Sequence, residues 1–158
     1  VIDEFISKFT EQKLLHIVKI GRAYYHVLPE LRKRMEKADS SLGREAQYAG
    51  VFLGEEKGKR FMPSIALLDT IGRATHRWVM IDDKAEWLFL CGRDVFAGSV
   101  MKANVKSGMV IVCNRRKEVL GYGRIAGDIE KKDKVYVRNL LDRGDFLRRE
   151  MSRKKGRY

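Results

Sequence analysis

With 158 residues, 44% of them apolar and only two prolines, the chain can fill one ordinary core or two small ones of about 75 to 85 residues each. Long disordered or proline-rich stretches are excluded, and an ordered globular protein is expected. Thirty-three basic residues against 21 acidic ones give a net charge of +12 and a pI near 9.9, a balance that calls for an anionic partner.

That charge is unevenly placed. Residues 1–83 hold 14 basic and 12 acidic side chains, whereas residues 84–158 hold 19 and 9, so the halves carry +2 and +10. A charge serving only solubility has no reason to gather in one half, so a phosphate-binding surface in the second half is expected. Cys91 and Cys113 each end an apolar run and read as buried strand residues, with neither metal-ligand spacing nor disulfide density. The apolar runs fall well short of the roughly 20 residues that span a bilayer. The start carries Asp3 and Glu4 rather than a basic run. A soluble, non-secreted chain in a reducing compartment is expected, cytoplasmic, or nucleolar in a eukaryote.

In chain order, Phe5, Ile6 and Phe9 have helical spacing over residues 3–13. Leu14 to Ile20 and Ala23 to Leu28 read as strands joined by a Gly21-Arg22 turn. Pro29 opens a second helix that ends near Ser40, with Leu31, Met35 and Ala38 on one face. Tyr48 to Leu53 and Arg60 to Met62 are strands about a turn at Gly54 to Lys59; Ser64 to Ala74 is a helix and Arg77 to Ile81 a strand. Asp82-Asp83 reads as a polar boundary. Beyond it the pattern predicts strands at Trp87 to Cys91, Met109 to Asn114, Val119 to Ile125 and Val135 to Val137. A short helical or turn segment is expected near Asp94 to Lys102, and a final helix over Asp142 to Ser152 with Phe146, Leu147 and Met151 inward. The expected fold class is α+β: an N-terminal α/β module of antiparallel strands with flanking helices (1–83), then a β-barrel (84–158).

The sharpest local feature is Lys134-Val-Tyr-Val-Arg138. Strand alternation puts Val135 and Val137 toward the core and Lys134, Tyr136 and Arg138 on the opposite face. Two cations around a ring suit single-stranded RNA, the cations meeting phosphates and the ring stacking on a base; an ordinary amphipathic edge strand is the plain alternative. Residues 143–158 add seven basic side chains against Asp145 and Glu150, more than a helix dipole explains. Arg148, Arg149, Lys154 and Lys155 are therefore candidate phosphate contacts. Arg115 and Arg116, in a strand-to-strand turn, extend the candidate surface.

The run Trp-Leu-Phe-Leu-Cys-Gly92, Asp94-Val-Phe, Gly98, Lys106-Ser-Gly-Met-Val-Ile-Val and Leu120-Gly-Tyr-Gly123 resembles the PUA domain of pseudouridine synthases and archaeosine transglycosylases. An α/β module followed by this domain and by Asp142-Arg-Gly-Asp-Phe-Leu-Arg-Arg149 resembles the Nip-seven ribosome-biogenesis family. The resemblance implies an RNA-binding factor without a catalytic site, acting in pre-ribosomal RNA processing and large-subunit assembly. Its N-terminal module would meet proteins, and Lys134 and Arg138 would lie on the RNA face.

Two other readings stay open: an RNA-modifying enzyme of the pseudouridine synthase or tRNA-guanine transglycosylase type, and a protein-binding adaptor. Leu67-Leu68-Asp69-Thr70 faintly resembles the catalytic aspartate segment of pseudouridine synthases, but a helix-surface aspartate explains Asp69 better. His16, His26 and His76 lack ligand or nucleophile–base spacing, so no metal and no cofactor is expected.

Overall fold

The computed structural model describes residues 1–42, 46–47 and 49–155, with side chains of the final helix described as far as Arg149. The first half begins with a short helix α1 (Ile2–Ser7) and the hairpin β1 (Ile17–Ile20) and β2 (Ala23–His26), closed at Gly21 with φ +58°. Helix α2 (Pro29–Leu42) follows, then the hairpin β3 (Val51–Lys57) and β4 (Arg60–Pro63). These strands form an antiparallel sheet in the order β1-β2-β3-β4. The turn between β3 and β4 is tighter than the expected Gly54 to Lys59 loop, since Lys57 pairs directly with Arg60. The start expected at Tyr48 lies outside the described residues. Ser64 caps helix α3 (Ile65–Ala74) by accepting from the Leu67 amide at 3.1 Å.

The second half is a nearly closed barrel built from one sheet in the order β6-β10-β9-β8-β5-β7. Its members are β5 (Trp78–Ile81), β6 (Val95–Phe96), β7 (Val100–Ala103), β8 (Gly108–Cys113), β9 (Val119–Ile125) and β10 (Val135–Asp142). Strand β5 runs parallel to β8 and antiparallel to β7. The barrel sheet thus starts upstream of the boundary expected at 83/84, since β5 pairs with β8, and the residue pair read as that boundary is a helix start. Asp82 accepts from the Ala85 amide at 2.8 Å and caps helix α4 (Asp83–Leu90).

Helix α4 corrects the strand expected at Trp87 to Cys91. Ala85 and Phe89, one turn apart, are buried against the barrel, while Trp87 is 67% exposed and Cys91 is exposed too. An apolar run of this length fits strand or buried helix equally, and the Asp82 cap decides for helix. The short helical or turn segment expected near Asp94 to Lys102 is a single 3₁₀ turn at Ala97–Ser99, flanked by the short strands β6 and β7 that the sequence reading did not separate. The last helix, α5 (Arg143–Lys155), keeps Phe146 against the core but leaves Leu147 66% exposed, contrary to expectation.

Two cores hold the chain together. One fills the barrel, with Val79, Ile81, Phe89, Val110, Val112 and Val137 among its members. The other packs the N-terminal layer onto the barrel's outer face, joining Phe5, Phe9, Leu67 and Ile71 to Ile111, Val119 and Leu141, with Tyr122 against them. Phe5 and Tyr122 meet edge to face at 5.3 Å. Arg143 adds a polar tie, donating to the Asp69 carboxylate on α3 and to the Val119 carbonyl. The halves are therefore layers of one packed structure rather than beads on a linker.

Among the described residues no helix is long and apolar enough to cross a membrane.

Candidate nucleic-acid interface

The face chosen by strand alternation around Lys134 to Arg138 is rearranged by a bulge. On β10, Val135 pairs with Phe96 of β6 and Val137 with Val95, so Tyr136 is the extra residue between two pairs. The bulge turns its ring into the barrel, where it is 2% exposed and its hydroxyl donates to the Val105 carbonyl at 3.3 Å. Burial holds the phenol above its usual range. Tyr136 is a core residue with a satisfied hydroxyl, not a stacking platform. Lys134 and Arg138 remain exposed, with Lys134 near Asp133 at 3.8 Å.

Arg138 has a partner that sequence reasoning did not single out. In the antiparallel register of β9 and β10 it stands directly opposite Arg124, and both are exposed. Among the described residues neither is ion-paired or hydrogen-bonded through its side chain. Like charges in directly opposed positions oppose folding by up to about 1 kcal/mol, so the pair is intelligible as a cradle for an anion. The strands come close enough for it because Gly123, beside Arg124, lies against the Arg138 carbonyl with no room for a Cβ. Lys106, Lys131 and Lys132 are exposed on the loops at this end of the barrel.

Four of the other cations chosen from sequence, Arg115, Arg116, Arg148 and Arg149, are ion-paired. Arg148 donates to both oxygens of the buried Asp142 carboxylate, at 2.9 and 3.1 Å, and to the Leu90 carbonyl. The hydrogen bond to Asp142 raises the guanidinium's affinity for its proton. Asp142 also accepts from the Asp145 amide at 3.0 Å, capping α5, and from Asn139 at 3.2 Å. This network fastens α5 and the end of α4 to β10. Arg149 pairs with Asp145 at 2.7 Å. Lys154 and Lys155 fall in the backbone of α5, and their side chains lie outside the described residues.

Arg115 and Arg116 sit at the β8–β9 turn, paired with Asp83 at 3.4 Å and Glu118 at 3.0 Å. Hydrogen bonds from Asn114, then Arg116, hold the Glu118 carboxyl below its usual range. With about 3.4 Å per residue along β9, this turn is roughly 17 Å from Arg124. The structure thus sets Arg138 against Arg124, leaves Lys134 just before the start of β10 on the far side of the bulge, and places Arg115 and Arg116 at the opposite end of β9.

Beside the arginine pair, a groove of about 330 Å³ runs between the N-terminal layer and the barrel. Met109, Tyr122 and Leu140 line its barrel side, while Lys8, Lys59 and Arg60 line the opposite wall. Met109 is the register partner of Arg124 on β8, so groove and pair adjoin. Among the described residues no three His, Cys, Asp or Glu side chains are grouped to hold a metal ion.

Comparison with known proteins agrees with this barrel. Residues 77–151 match the family described as UPF0113 PUA domain. A UPF0113 protein of Archaeoglobus fulgidus is 42% identical over 110 residues, covering 65% of this chain and 63% of that protein. The chain thus spans less than two thirds of the curated relative it matches. A conserved PUA domain protein from Thermoplasma acidophilum superposes with a TM-score of 0.51 at 20% identity, over 85% of this chain and 97% of that one. A hypothetical protein from Pyrococcus horikoshii gives a TM-score of 0.47 at 21% identity, over 58% and 62% of the two chains. Residues 77–151 are similar to the PUA domain of the UPF0113 family and form a PUA-like barrel that shares its outer core with the N-terminal layer.

Proposed function

We propose that this chain is an RNA-binding factor without chemistry of its own, acting in pre-ribosomal RNA processing and large-subunit assembly. The PUA match supports the RNA partner, and the observation that carries the reading is the exposed, unpaired opposition of Arg124 and Arg138. Single-stranded RNA supplies successive phosphates to such a pair, while its bases remain free to meet neighbouring apolar surface. The ribosome-assembly role rests on the resemblance to the Nip-seven family alone.

Asp69, the residue nearest to a catalytic candidate in sequence, is engaged by Arg143 at the contact between the two layers, which favours a structural role over an enzymatic one. Incubating the full chain with unmodified ribosomal RNA and analysing nucleosides by mass spectrometry tests this. No new modification is expected, and turnover abolished by Asp69→Ala would reverse the assignment to an enzyme.

An adaptor role has one observation in its favour. Leu28, Val51 and Phe52 are exposed at one end of the N-terminal sheet, where Val51 pairs with His26. Such a patch suits a protein partner held by the N-terminal layer while the barrel holds RNA. Absence of RNA binding at low salt would leave this second reading alone.

A further inference from the structure

We propose that the groove between the two layers receives a base of single-stranded RNA whose backbone is gripped by Arg124 and Arg138 on the barrel and by Lys59 and Arg60 on the β3–β4 hairpin. This deepens the RNA-binding reading and rests on it.

The groove has a floor and a rim of different chemistry. Its floor is apolar and half-buried: Phe61 from the hairpin, Tyr122 and Met109 from the barrel, and Leu140, which is 47% exposed. Leu140 is exposed for a reason. It is the extra residue of a second bulge on β10, between the pairs Asn139–Gly123 and Leu141–Tyr122. The rings of Phe61 and Tyr122 both pack on Phe5 at 5.3 Å, which fixes the floor before anything binds. Its volume of about 330 Å³ is at the lower end of small-molecule sites, suited to one planar ring.

The rim supplies the charge. Lys8, Lys59 and Arg60 are exposed on the N-terminal wall, and like Arg124 and Arg138 none is ion-paired among the described residues. Glu4 is the acid that lines the groove with them. Cations along one wall of an apolar slot, with the Arg124–Arg138 pair adjoining the other wall through Met109, match a ligand with a charged backbone and a flat uncharged side group, which is the chemistry of a single strand. An acidic peptide matches the rim but leaves the aromatic floor without use. The site requires both layers, which accounts for a PUA domain fused to its neighbour through a common core rather than by a linker.

The test uses the full chain and a single-stranded oligoribonucleotide carrying 4-thiouridine. Affinity is measured against salt, and cross-linked peptides are mapped by mass spectrometry. Lys59→Ala with Arg60→Ala, both exposed and confirmed folded by circular dichroism, should lower the slope of log K against log salt by roughly 1.4, about 0.7 for each lost phosphate contact. Cross-links should fall on peptides holding Phe61, Met109 or Tyr122. A Lys59/Arg60 variant with wild-type slope and cross-links confined to other faces would overturn the groove while leaving RNA binding by Arg124 and Arg138 intact. If the wild-type chain binds no RNA, or the Arg124/Arg138 variant is silent, the underlying reading itself fails. A polyglutamate peptide that displaces the RNA and protects the groove at lower concentration would assign it to an acidic protein instead.

Discussion

Arg124 and Arg138 face each other across β9 and β10 with no carboxylate bound to either among the described residues. Most of the arginines that stand out in the sequence are used up by the fold: Arg143 on Asp69, Arg148 on Asp142, Arg149 on Asp145, Arg116 on Glu118. A pair left in mutual repulsion has an electrostatic cost that an arriving phosphate removes. Arg124→Ala is accordingly expected to leave stability unchanged or to raise it by up to about 1 kcal/mol. Chemical denaturation of the variant measures it.

Tyr136 behaves oppositely. Buried in the barrel, it should cost about 3 to 5 kcal/mol when cut to alanine, as large aromatic core residues do. Tyr136→Phe should cost about 0.5 to 1.5 kcal/mol through the lost hydrogen bond to Val105, and should bind RNA like the wild type. A loss of RNA affinity in a fully folded Tyr136→Phe protein would mean that the hydroxyl meets RNA.

Asp142 is the hub under α5, taking hydrogen bonds from Arg148, Asn139 and the Asp145 amide. Asp142→Ala removes a helix cap and leaves donors unpaired, so a loss of about 2 to 3 kcal/mol is expected in urea unfolding. Hydrogen exchange should show α5 loosening first, because its anchor to β10 has gone.

The cysteines should separate by reactivity. Exposed Cys91 should react with a thiol reagent at once in the folded protein, and buried Cys113 only as the chain unfolds. Burial pushes the Cys113 thiol up to about 11, against roughly 8.5 for a free thiol. Between these values the unfolded chain has released a proton that the folded chain keeps. This group therefore makes stability fall as pH rises from about 8.5 toward 11. Cys113→Ser should flatten that part of the stability profile, and an unchanged slope would contradict the assignment.

Much of this architecture was legible because local patterns and tertiary packing agree. Pro29, the Ser64 cap and the β-branched β8 and β9 segments bounded by turn residues each specify one conformation. Trp87 to Cys91 was misread because an apolar run carries no period of its own, although Asp82, three residues before buried Ala85, was a readable cap. The site was legible only in part. Lys134 and Arg138 stand out as cations beside a strand, but Arg124 gains its meaning from register, which pairs residues far apart in sequence. Tyr136 was misplaced because a bulge breaks alternation without leaving a mark in the sequence.

The central claim is that RNA is held at the Arg124–Arg138 end of the barrel, and salt dependence tests it most directly. Affinity of the full chain for a single-stranded oligoribonucleotide should be compared at several salt concentrations for the wild type, Arg124→Ala with Arg138→Ala, and Arg115→Ala with Arg116→Ala. The first double variant should weaken binding to all sequences alike and reduce the salt slope by roughly 1.4, while the second should match the wild type. The reverse outcome, with Arg124 and Arg138 silent and Arg115 and Arg116 essential, would put RNA at the opposite end of the barrel and contradict the account.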